Sequence, residues 1–186
     1  MEVIMKKIIR YLLLAVMTVM LSVPAFSAAE AATVALVPLI NNVQGDELAG
    51  QIYFKEALNV LNSKKGFVLV DNDKLTAVIE AAKMGQAVPG EAALAKIAKD
   101  GDVDLVIAMQ LDKLEDEALR SSEGDQLQID MQGYAVAYNR INGAFYKHRI
   151  YSDDKVPEVF SSRWDWVHEE WGKTVRLEID RALRAK

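Results

Sequence analysis

Apolar and polar positions follow two regimes along this chain. Three short, nearly unbroken apolar blocks stand out: Val34-Ala35-Leu36-Val37-Pro38-Leu39, Phe67-Val68-Leu69-Val70-Asp71 and Leu105-Val106-Ile107-Ala108-Met109. Stretches with helical spacing separate them. Such blocks read as strands covered on both faces, and strands alternating with helices predict a parallel or mixed sheet. The first strand spans 33–40, with Pro38 near its end because proline donates no ladder hydrogen bond. Asp46 is placed to cap the next helix, whose apolar face is Gly50, Phe54, Ala57, Leu58 and Leu61. Lys64, Lys65 and Gly66 suit its last turn and stop. A second strand at 67–70 leads to a helix capped by Asn72 or Asp73, with Leu75, Val78, Ile79 and Ala82 turned inward. After a breaker loop at 85–90, a short helix carries Leu94, Ile97 and Ala98 and ends at Gly101. The third strand spans 105–111.

The second half changes character. Residues 111–120 are acidic, and 121–125 read as a flexible turn. From Gln126 the chain alternates strictly: Leu127, Ile129 and Met131 face one way, Gln128, Asp130 and Gln132 the other. That is a half-exposed antiparallel strand. Beyond Gly133 the second face also turns apolar, with Tyr134, Val136 and Tyr138. Asn142-Gly143 is a strong hairpin signal and predicts a return strand at 144–152, followed by a loop at 153–158. A last helix starts at Ser161 or Ser162. Trp164, Val167, Trp171, Val175, Ile179 and Leu183 form its inward stripe, weakened at Gly172 by about 1 kcal/mol relative to alanine. The element order is β-α-β-α-α-β-β-β-α. This is an α/β class (an α+β mixed sheet), with helices packed on a mixed four- or five-stranded sheet.

Before the first strand, Lys6, Lys7 and Arg10 precede an apolar run at 11–23, then Pro24 and small residues. These are the three parts of a secretory signal. The expectation is a cleaved signal peptide at 1–31 and a single domain at 32–186, periplasmic or secreted. An uncleaved anchor is the alternative, but the run is short of the roughly 20 apolar residues a span needs. Cysteine is absent, so no lipid can be attached in the manner of a bacterial lipoprotein. Removing 1–31 takes away three basic and two acidic residues, which moves the net charge from −5 to −6. Such a balance argues against nucleic acid and against anionic lipid surfaces as partners. It leaves no stable membrane insertion after cleavage. Apolar content of 51% with 26% charged residues is globular rather than disordered.

Searching for chemistry returns little. His168-Glu169-Glu170-Trp171-Gly172 begins like a zinc-protease helix but has glycine where a second histidine is required. Asp71-Asn72-Asp73 begins like a calcium loop, then places Leu75 and Thr76 where an oxygen ligand and a glycine belong. Asp112, Glu115, Asp116 and Glu117 read as a solvated edge. There is no cysteine, no Gly-x-Ser-x-Gly elbow and no glycine-rich phosphate loop. No catalytic, metal or cofactor residue is assigned. The interaction candidates are aromatic or lie on the hairpin: Trp166, Tyr151, Asn142, Gly143, Tyr134 and Tyr138. Trp166 falls off the apolar stripe, so it is either an exposed anchor or packing against the sheet rim.

The three blocks also carry a family resemblance. Val34-Ala35-Leu36-Val37-Pro38-Leu39 resembles the first strand of the curli-secretion lipoprotein family. The same strand is shared by the penicillin-binding-protein activator lipoprotein and the amino-terminal domain of the Tol–Pal translocation protein. Phe67-Val68-Leu69-Val70-Asp71, followed by Leu75 and Ile79, is similar to their second strand and helix. The segment 94–111, with Gly101 and Val103-Asp104, resembles their helix, Gly-Ala-Asp and strand, Val103 standing for the usual alanine. The hairpin at 139–143 and the closing helix match in place. The resemblance covers roughly 33–186. It implies a small mixed sheet flanked by helices and envelope roles without chemistry: docking, activating a synthase, or assembly at the outer membrane. The chain departs from the lipid-bearing members in lacking cysteine, and 111–132 is too acidic for a membrane-inserting hairpin.

Together these point to an exported, non-enzymatic protein that acts by contact with an envelope protein in cell-envelope assembly or maintenance. The alternative is a small-ligand or cell-wall-fragment binder, which requires a pocket lined by Tyr134, Tyr138 and Tyr151. A hydrolase would require two carboxylates facing each other across roughly 5–10 Å, and the sequence selects no such pair.

Overall fold

A computed structural model describes residues 31–82, 85–121, 124–157 and 163–184. Residues 1–30 of the expected signal peptide, and the expected helix start at Ser161 or Ser162, lie outside the described residues. The elements are β1 (Ala32–Leu36), β2 (Ile40–Asn41), α1 (Leu48–Ser63), β3 (Phe67–Leu69), α2 (Asp73–Ala81), α3 (Glu91–Gly101), β4 (Leu105–Ser121), β5 (Gly124–Asn139), β6 (Ala144–Pro157) and α4 (Arg163–Arg184). The sheet order is β3-β1-β4-β5-β6, with β2 also paired to β4. β1 is parallel to β3 and to β4; the β4–β5 and β5–β6 pairs are antiparallel. The fold class and element order match the sequence reading. A sixth strand arises because Pro38 interrupts the first: β1 stops at Leu36, and β2 resumes the pairing to β4 at Ile40.

Topology sets the layers. The connection from β1 to β3 runs one way across the sheet, and that from β3 to β4 runs back past β1. Right-handed crossovers in opposite directions put their helices on opposite faces. Accordingly α1 and α4 share one core with Ile107, Met109, Leu111, Ile129 and Met131. α2 and α3 share the other with Val106, Ala108 and Val136. Asp104 fastens the sheet's lower end. Its carboxylate accepts from the Thr33 amide and hydroxyl, both at 2.9 Å, and from Arg140 at 3.0 Å. The Thr33 amide, then its hydroxyl and Arg140, hold that carboxyl below the usual range against the opposing effect of burial.

Four sequence expectations are corrected. The buried arc of α1 is Ala49, Tyr53, Glu56, Ala57, Val60 and Leu61, rotated by about one position from the expected face. The helix is covered on two sides, by the sheet and by α4, so its arc is centred between them; Phe54 is left 44% exposed. Burial opposes ionisation of Glu56, but Arg176 (2.8 Å) and Asn59 overcome it and hold its carboxyl below the usual range. β4 continues through the acidic stretch to Ser121, because β5 pairs with it along its length beyond a register shift between Leu111 and Lys113. β6 likewise continues to Pro157 through the expected loop. Finally, the hairpin loop has four residues, 140–143, closed by Asn139 and Ala144, rather than a two-residue turn. Gly143 supplies the left-handed position (φ 71°) and donates to the Asn139 carbonyl.

Gly172 sits mid-helix in α4 and faces Ile52 and Glu56 of α1. An added Cβ would meet Glu56 Cγ and Ile52 Cγ2 at 3.6 Å, ordinary contact distance. Gly172→Ala is therefore expected to raise stability by about 0.5–1 kcal/mol, read as a higher urea midpoint.

Candidate functional site

The six interaction candidates do not form one site. Asn142 and Gly143 are exposed at the hairpin tip, where Asn142 accepts from the Ala144 amide at 2.9 Å. Tyr138 packs with Phe145 against the α2–α3 core. Tyr134, four residues along β5, lies beneath Lys147 Nζ, 5.3 Å from the ring centre. Tyr151 pairs with Gln132 further up the ladder and is 63% exposed. The three tyrosines share one face of the sheet, and four hollows formed among the described residues around the helices are lined by other side chains. Trp166 is half-buried and packs against the α1–α4 core.

The exposed tryptophan of α4 is instead Trp164, which the apolar stripe had placed inward. The core-facing stripe begins only at Val167, and Trp164 lies a turn beyond it, 50% exposed. Its ring tilts over His168, one turn along, with centres 5.6 Å apart. His168 Nε2 in turn reaches both carboxylate oxygens of Asp46, at 3.2 and 3.1 Å. Asp46 is buried in the loop before α1, where its Oδ1 accepts from the Leu48 and Ala49 amides at 3.1 Å. The sequence-expected cap thus forms, and the same carboxylate also clamps α4. Two further bonds stiffen the corner. Trp171 Nε1 donates to the Ala49 carbonyl at 3.0 Å, and Asn41 Nδ2 donates to the Asp46 carbonyl at 2.6 Å.

A hollow of about 350 Å³ opens on this base, lined by Gly45, Asp46, Glu47, Leu48, Trp164, Asp165 and His168. Leu48 is half exposed like Trp164. Glu47 and Asp165 are exposed carboxylates without a basic partner among the described residues. The arrangement offers an aromatic plate, an aliphatic side chain and negative charge, all held on buried hydrogen bonds. Those are the chemical features suited to recognising a protein surface. Among the described residues the lining supplies carboxylates and one imidazole, and no hydroxyl, thiol or amine. The sequence carried one signal for it, the four-residue spacing of Trp164 and His168; the partner loop 122 positions away had none.

A second polar knot ties α4 to β6. The buried Glu178 carboxylate accepts from Tyr146 Oη at 2.8 Å and Arg181 Nη1 at 2.6 Å; His148 Nδ1 lies 3.0 Å away without hydrogen-bond geometry. Burial, and then Glu178, push the Tyr146 phenol above its ordinary range. Among the described residues no group of three or more His, Cys, Asp or Glu side chains is placed to hold a metal ion. No described helix is long and apolar enough to cross a membrane.

No protein-family model matches the chain, and no curated protein matches it in sequence. Solved structures do resemble it. Hypothetical protein CT253 from Chlamydia trachomatis superposes with a TM-score of 0.55 at 11% identity, covering 83% of this chain and 99% of that one. Lipoprotein GNA1162 from Neisseria meningitidis gives 0.42 at 12% identity, covering 78% and 96%. The LpoB C-terminal domain from Salmonella enterica gives 0.40 at 12% identity, covering 70% and 88%. These neighbours match the fold resemblance drawn from the sequence. At such identity the likeness to CT253 shows the fold alone.

Proposed function

We propose that the chain is an exported, non-enzymatic domain of the bacterial cell envelope that works by protein–protein contact, with the Trp164 corner as its anchor. The observation that carries this reading is the half-exposed Trp164 ring beside Leu48, seated on His168 and its buried partner Asp46. Tryptophan is one of the residue types enriched at the energetic centres of interfaces. Pre-ordering matters as much as area, because immobilising a mobile side chain costs about 0.5–1.5 kcal/mol on binding. The signal-like segment before Thr33 and the absence of cysteine support a soluble periplasmic or secreted protein.

The test is a photoreactive phenylalanine analogue at position 164, cross-linked in intact cells and read by mass spectrometry. One dominant envelope-protein adduct is expected. With that partner purified, Trp164→Ala should weaken binding by about thirtyfold or more, the effect of losing at least ~2 kcal/mol at a hot spot. Trp166→Ala should act mainly through stability. A chain that yields no adduct at 164, or a partner bound equally by Trp164→Ala, overturns the proposal.

A further inference from the structure

β1 and β3 are neighbouring parallel strands whose onward chains leave toward opposite faces, β1 into α1 and β3 into α2. Where two parallel strands part in this way, a crevice opens outside their carboxyl ends, and open α/β sheets characteristically bind ligands there. Here it measures about 210 Å³ and has an apolar wall that includes Leu36, Leu69 and Leu75, with Phe54 on one flank and Asp71 and Glu80 on the other. Phe54 stays 44% exposed at this spot. Asp71 and Glu80 are exposed and have no basic partner among the described residues.

A second, independent feature lies beside it. β3 ends the sheet. The ladder to β1 uses the Gly66 carbonyl and the Val70 amide, each in a 2.8 Å bond. By the alternation of a strand, Phe67 and Leu69 turn their amides and carbonyls to the open edge. Val68 between them is half exposed. A free edge of this kind is a template for an added strand.

We propose that this end of the sheet captures an extended, basic peptide segment of a partner protein. The segment adds a strand to β3, places one apolar side chain in the crevice beside Phe54, and sets a lysine or arginine against Asp71 and Glu80. The volume selects this occupant: it lies below the roughly 300–1,000 Å³ of small-molecule sites and suits a single side chain. The two unpaired carboxylates select its charge.

The probe is a blocked decapeptide of alternating valine and lysine, compared with its valine–glutamate counterpart. With the purified, isotope-labelled protein, the lysine peptide should shift the Phe67, Leu69 and Asp71 amides and slow exchange at Phe67 and Leu69. Its affinity should exceed the glutamate peptide's by about tenfold or more. Phe54→Ala and Glu80→Lys, both at exposed positions, should each weaken it by about tenfold. Trp164→Ala should leave it unchanged, which separates this site from the α4 corner. Equal affinity for the two peptides, shifts confined elsewhere, or full binding by Phe54→Ala overturns the proposal.

Discussion

Gly133→Ala is expected to cost about 3–5 kcal/mol of folding stability, a large part of the roughly 5–15 kcal/mol a domain possesses. Propensity alone argues the other way, since glycine within a strand is worse than alanine by about 0.5–1 kcal/mol. Geometry decides the sign. Gly133 faces Leu111 where β4 carries an extra residue, Asp112, and the bulge drives β4 toward β5. An added Cβ would sit 2.1 Å from the Gln110 carbonyl oxygen and 3.3 Å from Leu111 Cα. Both atoms are backbone, so no rotamer change relieves the clash. Nor can β4 retreat easily, because β2 pairs with it at Gln110 and Leu111 from the other side. Gln110 is also buried and accepts from the Val88 amide at 2.7 Å. Urea unfolding followed by circular dichroism measures the loss. A midpoint shift worth less than about 0.5 kcal/mol would mean that the bulge is soft.

That same bulge explains part of what could not be read from sequence. Buried blocks such as Val34-Ala35 and Val106-Ile107-Ala108, and the alternation from Leu127 to Met131, identify their strands directly. The pattern ends the third strand at Leu111, before the acidic run, because strand propensity is weak for Asp, Glu and Lys. Pairing overrides it: Lys113 sits beside Asp130 on the open face, 2.6 Å away, while Leu114 turns to the core opposite Met131. One extra residue shifts which side chains point inward, and no local pattern announces it. Helix phase failed differently. A single stripe describes a helix covered on one side, and α1 is covered on two. Phe54 therefore moved from assumed core to the rim of a crevice.

The candidate site was legible only in halves. Asp46 reads as a cap from its position before the helix, and it caps. His168 reads as one member of a failed zinc motif. Their pairing depends on α4 crossing the start of α1, which is a property of the packed molecule. The tryptophans show the limit of a periodic reading most clearly. Spacing placed Trp164 and Trp171 on one stripe, yet the core beneath that stripe ends between Trp164 and Val167. Where a helix outruns its core, its outermost apolar residue becomes surface, and that is how the anchor at Trp164 arises.

Trp171 bears the other half of this arrangement, and Trp171→Ala is expected to cost about 3–5 kcal/mol. Its side chain is fully buried between α1 and α4 with Val167 and Val175 in the same cluster. Truncation leaves a cavity lined by Ala49 and its neighbours, which are too short to fill it. It also removes the indole donor to the Ala49 carbonyl, which lay at 3.0 Å. Trp171→Phe separates the two contributions. It keeps most of the apolar volume and loses the hydrogen bond, so about 0.5–1.5 kcal/mol of the total should remain lost. Since Ala49 also donates to Asp46, the phenylalanine variant loosens the base on which Trp164 sits without touching the exposed surface. Its binding to a partner captured at position 164 should weaken even at temperatures where the fold is intact. Equal partner affinity in a fully folded Trp171→Phe would show that the corner needs only its exposed side chains, not the buried hydrogen bonds beneath them.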